Sequence, residues 1–204
     1  MKIKEIRLRT ISFLKENHLF YNDNLPLLDR PFFRKTEDIS KRIILLSCFK
    51  SIVENPEDKN EIQGWINRNG LVRDLSNREF QIINKNIISQ QDLIDISWYQ
   101  ESLYAMLWSV NIVKDMNFPS DESNVTKYLQ FLPPDVEIST FKKSLNLRGK
   151  DELLGELDLY YNLHWSAKKG ETRLIKSIVL ERRKALEWIV DNNITDWDNI
   201  DLST

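Results

Sequence analysis

Four apolar stripes in this chain, each laid out at helical spacing, carry one charge where an apolar residue should stand. Positions i, i+3, i+4 and i+7 of a helix share a face. Ile39, Arg42, Leu46, Phe49 and Val53 form one such row, and Ile94, Trp98, Glu101, Ala105, Trp108 and Ile112 a second. Leu154, Asp158, Tyr161 and Trp165 form a third, and Ile175, Val179, Arg182, Leu186 and Ile189 a fourth. A charge inside a core survives only when it is paired and hydrogen-bonded. Two of the four are cationic and two anionic, so mutual neutralisation is available. Three readings stay open: stripe-edge side chains that snorkel to water, a structural set of ion pairs, or a polar pocket for a ligand.

The rest of the chain supports helices. Five glycines in 204 residues leave no GxxxxGK[ST] or GxGxxG phosphate loop and few turns for a β protein. The expected fold is all-α, a compact single domain over 1–204 with about seven to nine helices. A first helix is expected at 2–17, then a Pro-broken aromatic connection over 18–35. Thr36 looks like the N-cap of a second helix, with Glu37 and Asp38 at its positive end. A short helix near 60–69 should stop at Gly70, and Ser76 to Glu79 reads as a capping box. The longest helix is expected at about 90–113. Short helices follow at 124–131 and within 139–147, then two strong ones at 151–168 and 173–191, antiparallel across Gly170. Residues 81–88 carry some β character as a minor alternative.

Charge limits the functions available. With 29 Lys and Arg against 31 Asp and Glu, no basic face for nucleic acid is expected. No apolar run approaches the roughly 20 residues of a membrane helix, and the N-terminus lacks a signal-peptide core, so the cytoplasm is the expected compartment. One cysteine, Cys48, and two histidines exclude a standard zinc site, and no cofactor is expected. Glu152, Glu156 and His164 can be drawn as a carboxylate-histidine metal set, but without the Glu-x-x-His spacing of di-iron bundles. His164 shares an apolar face with Leu153, Leu157, Tyr160 and Tyr161, which favours a neutral core histidine over a catalytic one.

Several segments resemble a mainly bacterial family of uncharacterised proteins, domain of unknown function 4272. They are Arg34 to Ile39 with Arg42 and Leu45-Leu46, Trp98 to Leu103 with Leu107-Trp108, and Glu152 to Leu154 with Asp158 to Tyr161 and His164-Trp165. The fourth is Glu181 to Leu186 with Trp188, Asp196 to Asp198 and the closing Asp201 to Thr204. The resemblance spans about 25–204. Gly155 and Asn162 depart from it, standing where an acidic and a basic residue are expected, and Leu25-Pro26-Leu27 replaces a Leu-Pro-Pro. The family implies no activity, substrate or cofactor.

The leading expectation is a non-catalytic cytosolic module that binds another protein, as an accessory or immunity-type factor. The rival is an enzyme or small-molecule binder with a pocket built from Arg42, Glu101, Asp158, His164 and Arg182. Asp158 and Arg182 stand equally far from Gly170, so the helical hairpin is expected to pair them directly.

Overall fold

A computed structural model describes residues 3–28, 31–170 and 172–203. Helix α2 (Thr36–Glu54) is its most enclosed element, with every residue from Ile39 to Phe49 except Lys41 buried. Around it lie α1 (Ile3–Glu16), α3 (Lys59–Arg68), α4 (Asn77–Ile83), α5 (Gln90–Ser97), α6 (Tyr99–Ser109), the single turn α7 (Thr126–Leu129), α8 (Ile138–Ser144), α9 (Lys150–Lys169) and α10 (Lys176–Val190). The fold is all-α. Among the described residues the one β feature is an isolated bridge between Phe32 and Asp191, and 81–88 lies in α4 and the turn after it rather than in a strand.

The helices follow a simple order of contact. α1 packs on α9, α9 on α10, α10 on α6, and α6 on α2, while α3 and α5 also lie against α2. The connection from α9 to α10 is short and the two pack closely, so they run antiparallel. One hydrophobic cluster runs through all these layers, from Leu14 of α1 to Phe49 of α2. Burying a large apolar side chain stabilises by about 1.5–3 kcal/mol, which is why stripes this long decide the layer order.

Several ends follow from local chemistry. Gly70 takes φ of 69°, a left-handed position that a glycine adopts without strain, just beyond α3. Ser76 and Glu79 form the expected capping box at α4. Lys35, not Thr36, is the N-cap of α2, and no side chain caps it there; Glu37 and Asp38 still occupy its first turn. The expected helix over 90–113 is two helices that meet at Trp98. Ser97 Oγ donates to the Ile94 carbonyl at 2.7 Å at this junction. The second half stops at Ser109, and Asn111 follows with φ of 64°. α9, with 20 residues, is the longest helix.

Cys48 is fully buried in α2, and burial pushes its thiol up to about 12. Native protein should therefore react with a thiol reagent only as fast as it unfolds, and denatured protein at once. Rapid labelling of the native state would place this face of α2 at the surface.

Candidate functional site

Buried arginines hold several of the irregular segments among the described residues. Loop carbonyls that leave water need donors, and with few helical hydrogen bonds available there, guanidinium groups supply them.

Arg7 of α1 makes a bidentate pair with Asp158 of α9, with Nη2 to Oδ1 at 2.8 Å, and also donates to the carbonyls of Leu25 and Pro26. It thereby fastens the 18–28 connection to two helices. Arg182 of α10 is fully buried against Glu101 of α6, also fully buried, with Nε to Oε2 at 2.8 Å. Its other donors reach Tyr160 Oη at 3.0 Å and the Asn117 carbonyl and side chain at 2.7 and 3.0 Å. Glu101 accepts in turn from the Ser123 backbone N–H at 2.7 Å. This pair therefore holds the 110–125 loop between α6 and α10. Arg148 closes α6 by donating to the carbonyls of Trp108, Val113 and Lys114. Arg183 bonds the Leu202 carbonyl and His164 Nδ1 and spans the closing residues.

The five residues singled out from the stripes do not meet in one pocket. Glu101 and Arg182 are joined. Asp158 faces Arg7, Arg42 faces Glu79, and His164 faces Arg183. The expected Asp158–Arg182 pair is absent for a geometric reason. The α9 residue that reaches Arg182 is Tyr160, two positions from Asp158, and two positions on a helix point about 200° apart. Asp158 therefore looks toward α1 while Tyr160 looks toward α10. Arg7 is the partner that stripe reading missed, although Ile3, Arg7, Thr10 and Leu14 share a face at helical spacing. Glu152, Glu156 and His164 do not converge, and no group of three metal-ligating side chains comes together among the described residues.

His164 is 4% exposed, and burial with the Arg183 charge lowers its pKa from 6.5 to about 4. It is neutral at pH 7 and accepts from Arg183 through Nδ1. Its folded pKa lies below its unfolded one, so its contribution to stability is complete above pH 6.5 and lost as pH falls toward 4. His164→Gln should lose stability less steeply than the wild type over that window in pH-dependent thermal melts. Parallel slopes would contradict a neutral His164.

Arg42 differs from the other buried arginines. It is 4% exposed, and its Nη2 donates to Glu79 Oε2 at 2.7 Å. Glu79, the last residue of the α4 capping box, also accepts from the Ser76 N–H at 2.8 Å and is fully buried. The remaining N–H groups of Arg42 have no partner among the described residues and keep some contact with solvent. They meet it in a cleft of about 400 Å³ between α2, α4 and the segment after α10. Arg42 lies 5.0 Å from the ring centre of Trp197, and Arg34 lies 3.8 Å from that of Trp188. The two indoles meet edge to face at 5.7 Å. Arg34 donates to the carbonyls of Trp188 and Ile194 and to Asn192, so its plane is fixed, and burial lowers its pKa. Arg73, exposed, stands at the rim, and Lys41 pairs with Asp74 at 3.0 Å. Asp38 and Asp196 complete the charged lining. Nothing here forms a nucleophile and base pair. The arrangement can orient a bound group by guanidinium donors and indole walls.

The sequence from residue 6 to 200 matches the family model for Domain of unknown function (DUF4272), and the chain belongs to that family. No curated protein and no solved structure matches it. The match begins at Ile6 and so takes in Arg7 and all of the helical layers.

Proposed function

We propose that this protein is a non-catalytic, cytosolic recognition module that receives an anionic group of a partner protein, a carboxylate or a phosphate, in the cleft beside Arg42. The observation that carries this reading is the Arg42 guanidinium itself. One side is neutralised by Glu79, and the other still offers N–H groups to the cleft. A buried, pre-oriented guanidinium loses little entropy on binding a planar anion, which is the usual reason such sites use Arg rather than Lys. Two exposed aromatics support a protein partner over a lone small anion. Phe32 lies two residues before Arg34, and Phe80 is one turn along α4 from Asn77 of the cleft. Exposed aromatics around a central arginine are a common interface composition. The cytosolic part rests on the lone buried thiol, which suits a reducing compartment. No described helix is long and apolar enough to cross a membrane.

The test is a tryptophan-fluorescence titration at low salt with inorganic phosphate and with a blocked acidic peptide carrying one aromatic residue. Saturable binding of both is expected, tighter for the peptide. Arg73→Ala should weaken it severalfold without loss of fold, and Arg42→Lys should weaken it further. Phosphate binding more tightly than the peptide would contradict a protein partner, and equal binding by wild type and both variants would remove the site.

A further inference from the structure

A second cleft, of about 630 Å³, opens on the other side of the layer stack between α1, the end of α6 and the first turns of α9. Ile6, Phe13, Trp108 and Leu159 give it apolar walls. Gly155 lies in its lining, and a Cβ added there would meet nothing within 4 Å, so the helix surface stands open at that point. The next residue, Glu156, lines the same cleft and makes no hydrogen bond or ion pair among the described residues. Glu156 is partly exposed, whereas the fully buried carboxylates Glu101 and Asp158 each hold an arginine and Glu79 holds Arg42.

The groups facing Glu156 do not complete it. From α1 come Arg9 and Thr10, from the 110–125 loop Asp115, and from the start of α9 Arg148, Asp151 and Glu152. Arg9 is exposed and makes no ion pair with Glu156 among the described residues, and the donors of Arg148 are engaged by three carbonyls and Glu152, with its guanidinium 4.6 Å from the Trp108 ring centre. Arg182, behind, is engaged by Glu101, Tyr160 and Asn117. Carboxylates therefore outnumber cations in the lining, and Glu156 makes no ion pair among the described residues. Burial raises the Glu156 carboxyl to about 7. A cleft with apolar walls and an excess of carboxylates, Glu156 among them, suits a ligand with an apolar body and a single cationic head.

We propose that this cleft binds an organic ammonium ion, a primary amine on an alkyl or aryl body, with Glu156 as its counter-ion. The ammonium keeps its proton. The Glu156 carboxyl gives its proton to the buffer as the ion pair forms, so binding releases a proton and strengthens with pH until Glu156 is ionised in the empty cleft. No covalent bond is made or broken.

Calorimetric titration with phenethylammonium tests this, in pairs of buffers with unequal protonation enthalpies. Expected are saturable binding, proton release below pH 7, and affinity that rises roughly twenty-fold from pH 5.5 to 7.5. The neutral isostere 2-phenylethanol should bind at least tenfold more weakly. Glu156→Gln, which mimics the protonated carboxyl, should weaken phenethylammonium at least tenfold and abolish its pH dependence. Gly155→Leu fills the slot from a position with open space, and should abolish binding without lowering the melting temperature. Affinity that falls with rising pH, binding unchanged in either variant, or no saturable heat at any pH would overturn the proposal.

Discussion

Arg182→Ala should lower the unfolding free energy by about 3–5 kcal/mol, because it leaves Glu101 charged and without its partner in the core. Both side chains are fully buried at a separation of 2.8 Å. The loss has a second component. The Asn117 carbonyl and Tyr160 Oη lose their donor as well, and an unsatisfied buried polar group costs about 1–3 kcal/mol. Denaturant unfolding measures the sum. A double-mutant cycle separates the pairs: Arg182 with Glu101 should show strong coupling, whereas Arg182 with Asp158 should be additive within about 0.5 kcal/mol. A loss under 1 kcal/mol for Arg182→Ala would mean that the pair is open to water.

The second large effect belongs to Trp197. It is 4% exposed and sits in a segment without helical structure. Its indole lies edge to face with Trp188, with Arg42 at 5.0 Å and Lys184 at 4.9 Å from its ring centre. Trp197→Ala should cost about 3–5 kcal/mol, the usual penalty for truncating a buried aromatic. The neighbouring Asp198 accepts from the Arg78 backbone N–H at 2.9 Å, so loss of the indole also loosens the first turn of α4. Arg42→Lys, by contrast, keeps a cation beside Glu79 and should destabilise less. If Trp197→Ala instead left stability unchanged while weakening anion binding, the segment would be a mobile wall rather than a packed one. Thermal melts together with the fluorescence titration distinguish these results.

Much of this architecture was legible in the sequence, and what was not has specific causes. Periodicity located the strong helices because a 3.6-residue stripe needs only local sequence to be seen. It also singled out Arg42, Glu101, Asp158 and Arg182 as charges on apolar stripes, all four of which are buried, although periodicity alone left snorkelling to water open. It did not reveal their partners, which depend on how helices rotate against one another and where loops cross. Asp158 illustrates this: the hairpin count put Arg182 at its height, but facing depends on rotation, and Arg7, from the far end of the chain, faces it. Glu79 was visible only as a cap, because the capping box explains a glutamate at that position without need of Arg42. Arg183 was hidden in a Glu-Arg-Arg-Lys run that reads as a solvated face. The break at Trp98 has no glycine or proline to announce it. The cleft itself depends on the segment after α10 folding back to place Trp197 beside Arg42, a long-range contact without a local signature. Seen together, the arginines at 7, 34, 148, 182 and 183 all donate to carbonyls of irregular segments. The internal charges of this fold are chiefly a means of satisfying loop backbone, and Arg42 is the exception.

That exception can be located directly by following the six indole N–H resonances in a proton–nitrogen correlation spectrum while acetate, then phosphate, is added at low ionic strength. If the cleft beside Arg42 receives anions, Trp188 and Trp197 will shift saturably while Trp65, Trp98, Trp108 and Trp165 stay in place. Uniform small drifts, or shifts centred on Trp108 or Trp165, would contradict it.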